Sequence, residues 1–178
     1  MGLSALPEPA SGVCVFAAPA EIDQHLREAA SVYADTPAAE KILWRTLSME
    51  PQCLAIYFSL YKFYFYKKML REAEHVALLA LDTAAQQGGF PADWTQLDAA
   101  SAAWSRVDGP QHFYLFTLKA LAFSHLRLAR PGEAGEILAK LKEIDPADGV
   151  GASVIADIAA ATGNHHRHSP ADTSRIDS

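Results

Sequence analysis

The sequence is poor in β-branched residues and in cysteine. Val and Ile together supply 15 of its 178 residues, against 52 for Ala and Leu. Strands are enriched in β-branched residues, whereas Ala and Leu rank high in helix propensity. A sandwich, a barrel or a wide parallel sheet is therefore excluded, and an all-α fold is predicted. The two cysteines, Cys14 and Cys53, form no C-x-x-C motif, and a helical chain of this length needs no disulfide, so reduced thiols are predicted.

Long apolar runs and a surplus of positive charge are also missing. No uncharged apolar stretch reaches the length of about 18 residues that marks a transmembrane helix, and residues 1–19 carry no Lys or Arg, which a signal peptide would have. A soluble cytoplasmic protein with no membrane partner is therefore predicted. The 15 basic residues stand against 21 acidic ones, a net charge of −6. This balance disfavours nucleic acid as a partner, because phosphate contacts need a basic face.

The chain contains an internal repeat. The segment 36–51 aligns without a gap on the segment 131–146, and both have the pattern of an amphipathic helix that ends at an acidic residue followed by proline. Ala39 corresponds to Ala134 in this alignment, and a third alanine, Ala73, follows Ala39 after 34 residues. A 34-residue period of helix pairs resembles the tetratricopeptide repeat, in which an alanine marks the close crossing of the paired helices and a proline closes the unit.

This resemblance implies an all-α superhelix of about three stacked helix pairs within a helical domain over residues 20–162. The second and third alanines are 61 residues apart, which is 27 more than one repeat. An insertion is therefore predicted at about 87–113, with an inserted helix over about 92–105 that carries Trp94 and Trp104. The resemblance is specific for architecture and not for function, because such repeats serve many partners.

The two ends of the domain are predicted from composition. After the third pair, a C-terminal capping helix is predicted with Val154, Ile155 and Ile158 facing inward, because the last stacked face would otherwise remain in contact with water. Residues 1–19 are predicted to form a flexible N-terminus and the polar residues 163–178 a disordered tail.

A second resemblance rests on three short segments. The stretches YKFYFYKKMLREAE, GGFPADW and LKALAF together are similar to small tetratricopeptide-like proteins encoded beside bacterial nitrogen-fixation genes. This resemblance implies a helper of metalloenzyme assembly.

Candidate binding residues come from the aromatic content and the repeat positions. Residues 57–66 hold seven of the chain's 17 aromatic side chains. In stacked helix pairs the first helix of each pair lines the concave face, and the groove positions that the resemblance implies are Phe58, Lys62, Phe65, Tyr66, Phe116, Lys119, Phe123 and Arg127. The opposite side of the first of these helices is predicted to be ordinary core: Tyr57, Leu60, Tyr61 and Tyr64. Aromatic side chains beside Lys and Arg suit a peptide with apolar anchors and an acidic group.

These patterns predict a non-catalytic adaptor or assembly chaperone that holds a segment of another protein in an aromatic and basic groove. No phosphate-binding, dinucleotide or nucleophile motif occurs, so no catalytic residue, metal site or cofactor is predicted. Two alternatives stay open. The aromatic face is a homodimer seam, or the protein is a metal-handling protein or an enzyme that uses its histidines. Those histidines are His25, His75, His112 and His125, with a tail cluster of His165, His166 and His168.

Overall fold

The computed structural model describes residues 16–165, and every regular element within them is helical, which confirms the all-α prediction for this part of the chain. The α-helices are α1 (Ala20–Ser31), α2 (Thr36–Met49), α3 (Leu54–Tyr66), α4 (Leu70–Gly88), α5 (Gly109–Arg127), α6 (Pro131–Ile144) and α7 (Ala152–His165), with one 3₁₀ turn at Trp94–Gln96. None of the described helices has the length and hydropathy needed to cross a bilayer.

The internal repeat is reproduced in the helix boundaries. α2 and α6 each have 14 residues and begin and end at aligned positions. The residues that follow them, Glu50 and Asp145, have nearly the same backbone conformation, with φ and ψ of −132° and 71° against −126° and 63°. Each precedes a proline, which disfavours the helical conformation in the residue before it. The two helices therefore end at the same position of the repeat for the same steric reason.

The chain divides between Thr83 and Ala84 into two compact units. In the first unit α1 packs on α2, α2 packs on α3, and α1 also reaches α3. In the second unit α5 packs on α6, α6 packs on α7, and α5 also reaches α7. The same order of helix contacts therefore occurs in each unit.

The three repeat alanines are fully buried. Ala39, Ala73 and Ala134 each have 0% exposed surface. The leucines four residues after the first and the third, Leu43 and Leu138, are also buried. Residues four apart share one face of a helix, so these positions mark the stripe by which α2 and α6 enter the core.

The predicted inserted helix over 92–105 is wrong. Only the 3₁₀ turn is helical in this range, and α5 begins at Gly109, inside the predicted insertion. Asp93 and Asp98 each accept the backbone N–H two residues ahead at 2.9 Å and also accept a nearby hydroxyl. Asp93 thereby caps the 3₁₀ turn, and the Asp98 bonds offer the backbone after that turn an alternative to the helix. The hydroxyl bond first, and the backbone bond second, lower the pKa of each carboxyl group.

The segment 89–108 is nevertheless fixed to the second unit. The Phe90 ring lies 5.1 Å, centroid to centroid, from both the Trp104 and the Tyr114 rings, and all three are buried. The Tyr114 hydroxyl and the Lys140 ammonium each donate to a backbone carbonyl of the segment at 2.7 Å. An ordered strap therefore stands where a helix was predicted.

The capping helix is present as α7, with one inward residue wrongly predicted. Ile155 is 1% exposed and Ile158 is half-buried, but Val154 is 53% exposed. Ala152 and Ile155 are three residues apart and share the buried face, whereas Val154 is rotated by about 100° from Ile155 and faces away.

Parts of the predicted flexible ends lie outside the described residues, namely 1–15 and 166–178. The described part of the N-terminal segment is non-helical up to Pro19, the N-cap of α1. At the other end, α7 continues to His165 and so includes three residues of the predicted tail.

Candidate functional site

α3 is apolar on nearly all sides, and the structure separates its core side from its outer side. The predicted core residues Tyr57, Leu60, Tyr61 and Tyr64 are at most 7% exposed, which confirms that side of the prediction. A helix with this composition must be covered on more than one face.

The outer side of α3 brings three of the predicted binding residues together. Phe58, Lys62 and Tyr66 follow at intervals of four, and the Lys62 Nζ lies 5.5 Å from the centroid of the Phe58 ring and 5.9 Å from that of the Tyr66 ring. Both distances are within the range of about 6 Å for cation–π attraction. Phe58 and Lys62 are half-buried, and Tyr66 is 42% exposed. We refer to Phe58, Lys62 and Tyr66 as the Lys62 face.

Phe65 lies beside this face and supports it. Its ring stacks on Tyr61 at 5.6 Å with an interplanar angle of 26°, and meets Tyr66 edge to face at 6.0 Å. Phe65 is half-buried and connects a core ring to an exposed one. Its contacts therefore fix the orientation of Tyr66.

A second lysine of the first unit, Lys67, forms a cation–π pair that was not predicted. The Lys67 Nζ, just after α3, lies 4.1 Å from the centroid of the Tyr33 ring, and Tyr33 meets Phe63 edge to face at 5.8 Å. Tyr33 is 40% exposed in the turn between α1 and α2. Sequence patterns offered no signal for this pair, because its members belong to different helix connections.

A partly buried hydrogen-bond network holds α3 against α2. The Tyr64 hydroxyl donates to Glu40 Oε1 at 2.5 Å and accepts the indole N–H of Trp44 at 2.7 Å. Burial, and then the hydrogen bond to Glu40, raises the pKa of Tyr64 to about 12. The network therefore holds a protonated phenol between the two helices and fixes the helix that carries the Lys62 face.

Lys119, a predicted binding residue of α5, has a structural contact in the second unit. Its ammonium donates to the backbone carbonyl of Val150, in the connection between α6 and α7, and lies 4.7 Å from the centroid of the Phe116 ring. Burial lowers the pKa of Lys119, while the carboxylate of Asp148 opposes that shift. Both Lys119 and Phe116 are half-buried, so this pair fastens the loop before α7 to α5.

The remaining two predicted residues of α5 differ in exposure. Phe123 is 5% exposed, so its ring offers almost no surface to a partner. This corrects its predicted place in a groove. Arg127 is exposed in the last turn of α5.

The histidine alternative finds no assembled site in the described part of the chain. No group of three or more His, Cys, Asp or Glu side chains among these residues is placed to hold one metal ion. His25 lies on α1, His75 on α4, and His112 and His125 on α5. His166 and His168 lie outside the described residues.

The fold and the site define an all-helical protein with a repeated order of helix packing and an aromatic and basic surface on α3. The chain is 30% identical, over 134 residues, to an uncharacterised 19.8 kDa protein encoded in the nifW 5′ region of Azotobacter chroococcum mcd 1. The match covers 74% of this chain and 75% of the relative, so the chain belongs to the family of that protein. No protein-family model and no solved structure matches the chain.

This relationship bears on both resemblances in the sequence. The relative's gene lies in a nitrogen-fixation region, which agrees with the second resemblance. The tetratricopeptide resemblance has no family match and depends on the repeat positions themselves.

Proposed function

We propose that this protein is a non-catalytic interaction module, an adaptor or assembly chaperone, that holds a segment of another protein against the Lys62 face. The observation that carries this proposal is the position of the Lys62 ammonium between two rings, one of them 42% exposed. Lys62 forms no salt bridge with any residue that the structure describes. A positive charge held on aromatic surface is suited to a partner with apolar anchors and an acidic group.

The packing order supports a tetratricopeptide-like arrangement of helix pairs. In such repeats the first helix of one pair contacts the second helix and also the first helix of the next pair. α1, α2 and α3 have these contacts, and so do α5, α6 and α7. In tetratricopeptide repeats the first helix of each pair lines the binding face, and α3 is the first helix of its pair in this assignment.

The relative's genomic position supports the cellular role. Its gene lies in the nifW 5′ region. We therefore assign the protein to nitrogen fixation, as a cytoplasmic helper in the assembly of a metalloenzyme. Its partner in this role is a protein of that system.

The test is co-purification from the native host at native expression, followed by mass spectrometry. Lys62→Glu and Phe58→Ala are compared with Lys41→Glu, which reverses the charge of an exposed lysine on α2 and leaves the Lys62 face intact. Proteins of the nitrogen-fixation system are expected with the wild type and with Lys41→Glu, and are lost from both face variants while far-UV circular dichroism is unchanged.

Unchanged capture by both face variants would contradict the proposal. If the only species lost is a second copy of the chain, the face is a homodimer seam. Sedimentation at micromolar and nanomolar concentrations then separates the dimer from the monomer.

A further inference from the structure

The Lys62 face already carries a ring from elsewhere in the chain. Phe16 lies in the non-helical segment before α1, and its ring meets the Phe58 ring edge to face, with centroids 5.7 Å apart and an interplanar angle of 72°. This is a favoured aromatic geometry. The chain's own segment therefore seats an aromatic side chain on one of the two rings that flank the Lys62 ammonium.

The described residues around Phe16 are non-helical and partly exposed. Ala17 and Pro19 are exposed, and Phe16 itself is only half-buried. Pro19 is the N-cap of α1 and provides no side-chain hydrogen bond to the helix. Segments with few buried apolar contacts open at low free-energy cost. A competing aromatic side chain can therefore take the place of Phe16 without unfolding a helix.

The positive charge of Lys62 has no carboxylate partner among the described residues. Lys62 has two aromatic neighbours and no salt bridge within the described part of the chain, and the residues that follow Phe16 are Ala17, Ala18 and Pro19, which carry no charge. Phe16 thus supplies the apolar half of a ligand for this face, and the described residues next to it supply no anionic group. An external segment with both halves has an advantage over the internal one.

We infer that Phe16 is an internal occupant of the Lys62 face, and that the partner displaces it with an extended segment in which an aromatic side chain is followed closely by a carboxylate. This inference rests on the proposed function and names the chemistry of the partner. The internal contact also lowers the apparent affinity for any partner, because only the molecules in which Phe16 has left the Lys62 face can bind one.

The experiment uses three synthetic peptides and the full-length protein. The peptide Ac-VFAAPA-NH2 copies the chain's own segment, Ac-VFEAPA-NH2 adds the carboxylate after the aromatic residue, and Ac-VAEAPA-NH2 removes the ring. Each is titrated into ¹⁵N-labelled wild type and Phe16→Ala, and the amide shifts of residues 58–66 report binding. The acidic aromatic peptide is expected to bind Phe16→Ala at least about threefold more tightly than it binds the wild type. The peptide without the ring is expected not to bind.

Two further comparisons test the charge. Adding Lys62→Glu to the Phe16→Ala protein is expected to reverse the preference for the acidic peptide over the neutral one. Ala17 is exposed, so Ala17→Glu adds the missing carboxylate to the internal segment without disturbing the core, and Ala17→Lys is its matched control. Ala17→Glu is expected to weaken binding of the acidic aromatic peptide, and Ala17→Lys to strengthen it.

Equal affinities of the wild type, Phe16→Ala and Ala17→Glu would overturn the inference, and so would the absence of binding to Phe16→Ala at millimolar peptide. Either result leaves the proposed function standing as long as partner capture still requires Lys62 and Phe58. Conversely, the peptides could bind as described while Lys62→Glu and Phe58→Ala still capture the partner. That result would support the internal contact of Phe16 and contradict the proposed function.

Discussion

Ala134 lies on α6 with no exposed surface, at the repeat position where the paired helices are expected to cross most closely. Ala134→Leu adds three carbon atoms to a site that is already filled. Overpacking of this kind typically costs about 1–3 kcal/mol of unfolding free energy. Because alanine and leucine differ by only a few tenths of a kcal/mol in helix propensity, nearly all of that loss would measure packing. Ala39→Leu, at the aligned position of α2, is expected to cost a similar amount.

The matched control is Ala139→Leu. Ala139 lies on the same helix but is exposed, so this substitution is expected to change the unfolding free energy by no more than about 0.5 kcal/mol. Urea denaturation of the full-length proteins, followed by far-UV circular dichroism, gives the free energies. Amide hydrogen exchange then locates the effect, which is expected in α5–α7 for Ala134→Leu and in α1–α3 for Ala39→Leu.

The comparison has a clear refuting result. If Ala134→Leu and Ala139→Leu unfold at the same urea concentration, Ala134 does not lie at a close helix crossing. The alignment of α2 with α6 would then describe helix lengths and end points but not packing, and the tetratricopeptide-like arrangement would lose its main support.

Further predictions concern the Tyr64 network, the strap and the loop before α7. Tyr64→Phe leaves Glu40 without its buried partner and is expected to cost about 1–3 kcal/mol in urea unfolding. Because the pKa of Tyr64 is raised from 10.0 to about 12, its stabilising effect is complete below pH 10 and is lost as the pH rises toward 12. Between pH 10 and pH 12 the unfolding free energy of Tyr64→Phe should therefore fall less steeply with pH than that of the wild type. Trp104→Ala should cost about 3–5 kcal/mol and reduce the near-UV circular dichroism. Asp145→Ala removes the acceptor of the Gly149 and Val150 backbone N–H groups, at 3.0 and 3.2 Å, and should speed hydrogen exchange at these two amides in the loop before α7.

The helix ends could be predicted from sequence where a local steric rule sets them. α2 and α6 each end at an acidic residue before proline, and that restriction acts on the backbone without reference to the rest of the fold. The predicted segment therefore matched the observed helices closely. The buried alanines followed from the same alignment.

The strap could not be predicted from the spacing of its large residues. The predicted helix over 92–105 carried Trp94 and Trp104, but Asp93 caps a single 3₁₀ turn and Asp98 accepts the N–H of Ala100 in the turn after Leu97. An aspartate followed within three residues by a hydroxyl residue, as in Asp93 with Thr95 and Asp98 with Ser101, is the sequence signal that favours turns here. Tertiary contacts then hold the segment in place, and these are invisible in a local pattern.

The candidate site was only partly predictable, because α3 and α5 are apolar on nearly every side. In such helices the hydrophobic pattern does not separate core from surface, and the division depended on the repeat positions alone. On α3 the predicted groove residues Phe58 and Tyr66 are half-buried and exposed, whereas on α5 the predicted groove residue Phe123 is buried. The contact of Lys119 with a carbonyl 31 residues away has no local signal at all.

Four lysines of this protein fall into two groups by their contacts. For the binding of an acidic partner this difference matters more than the net charge of −6. Lys119 and Lys140 donate to backbone carbonyls, so their ammonium groups are used to hold loops. Lys62 and Lys67 instead lie over aromatic rings, which attract a cation without neutralising it. Their charge therefore still acts on an approaching carboxylate. Because a largely exposed charge pair is screened by salt, binding of an acidic segment to the Lys62 face should weaken as ionic strength rises, whereas the loop contacts should not.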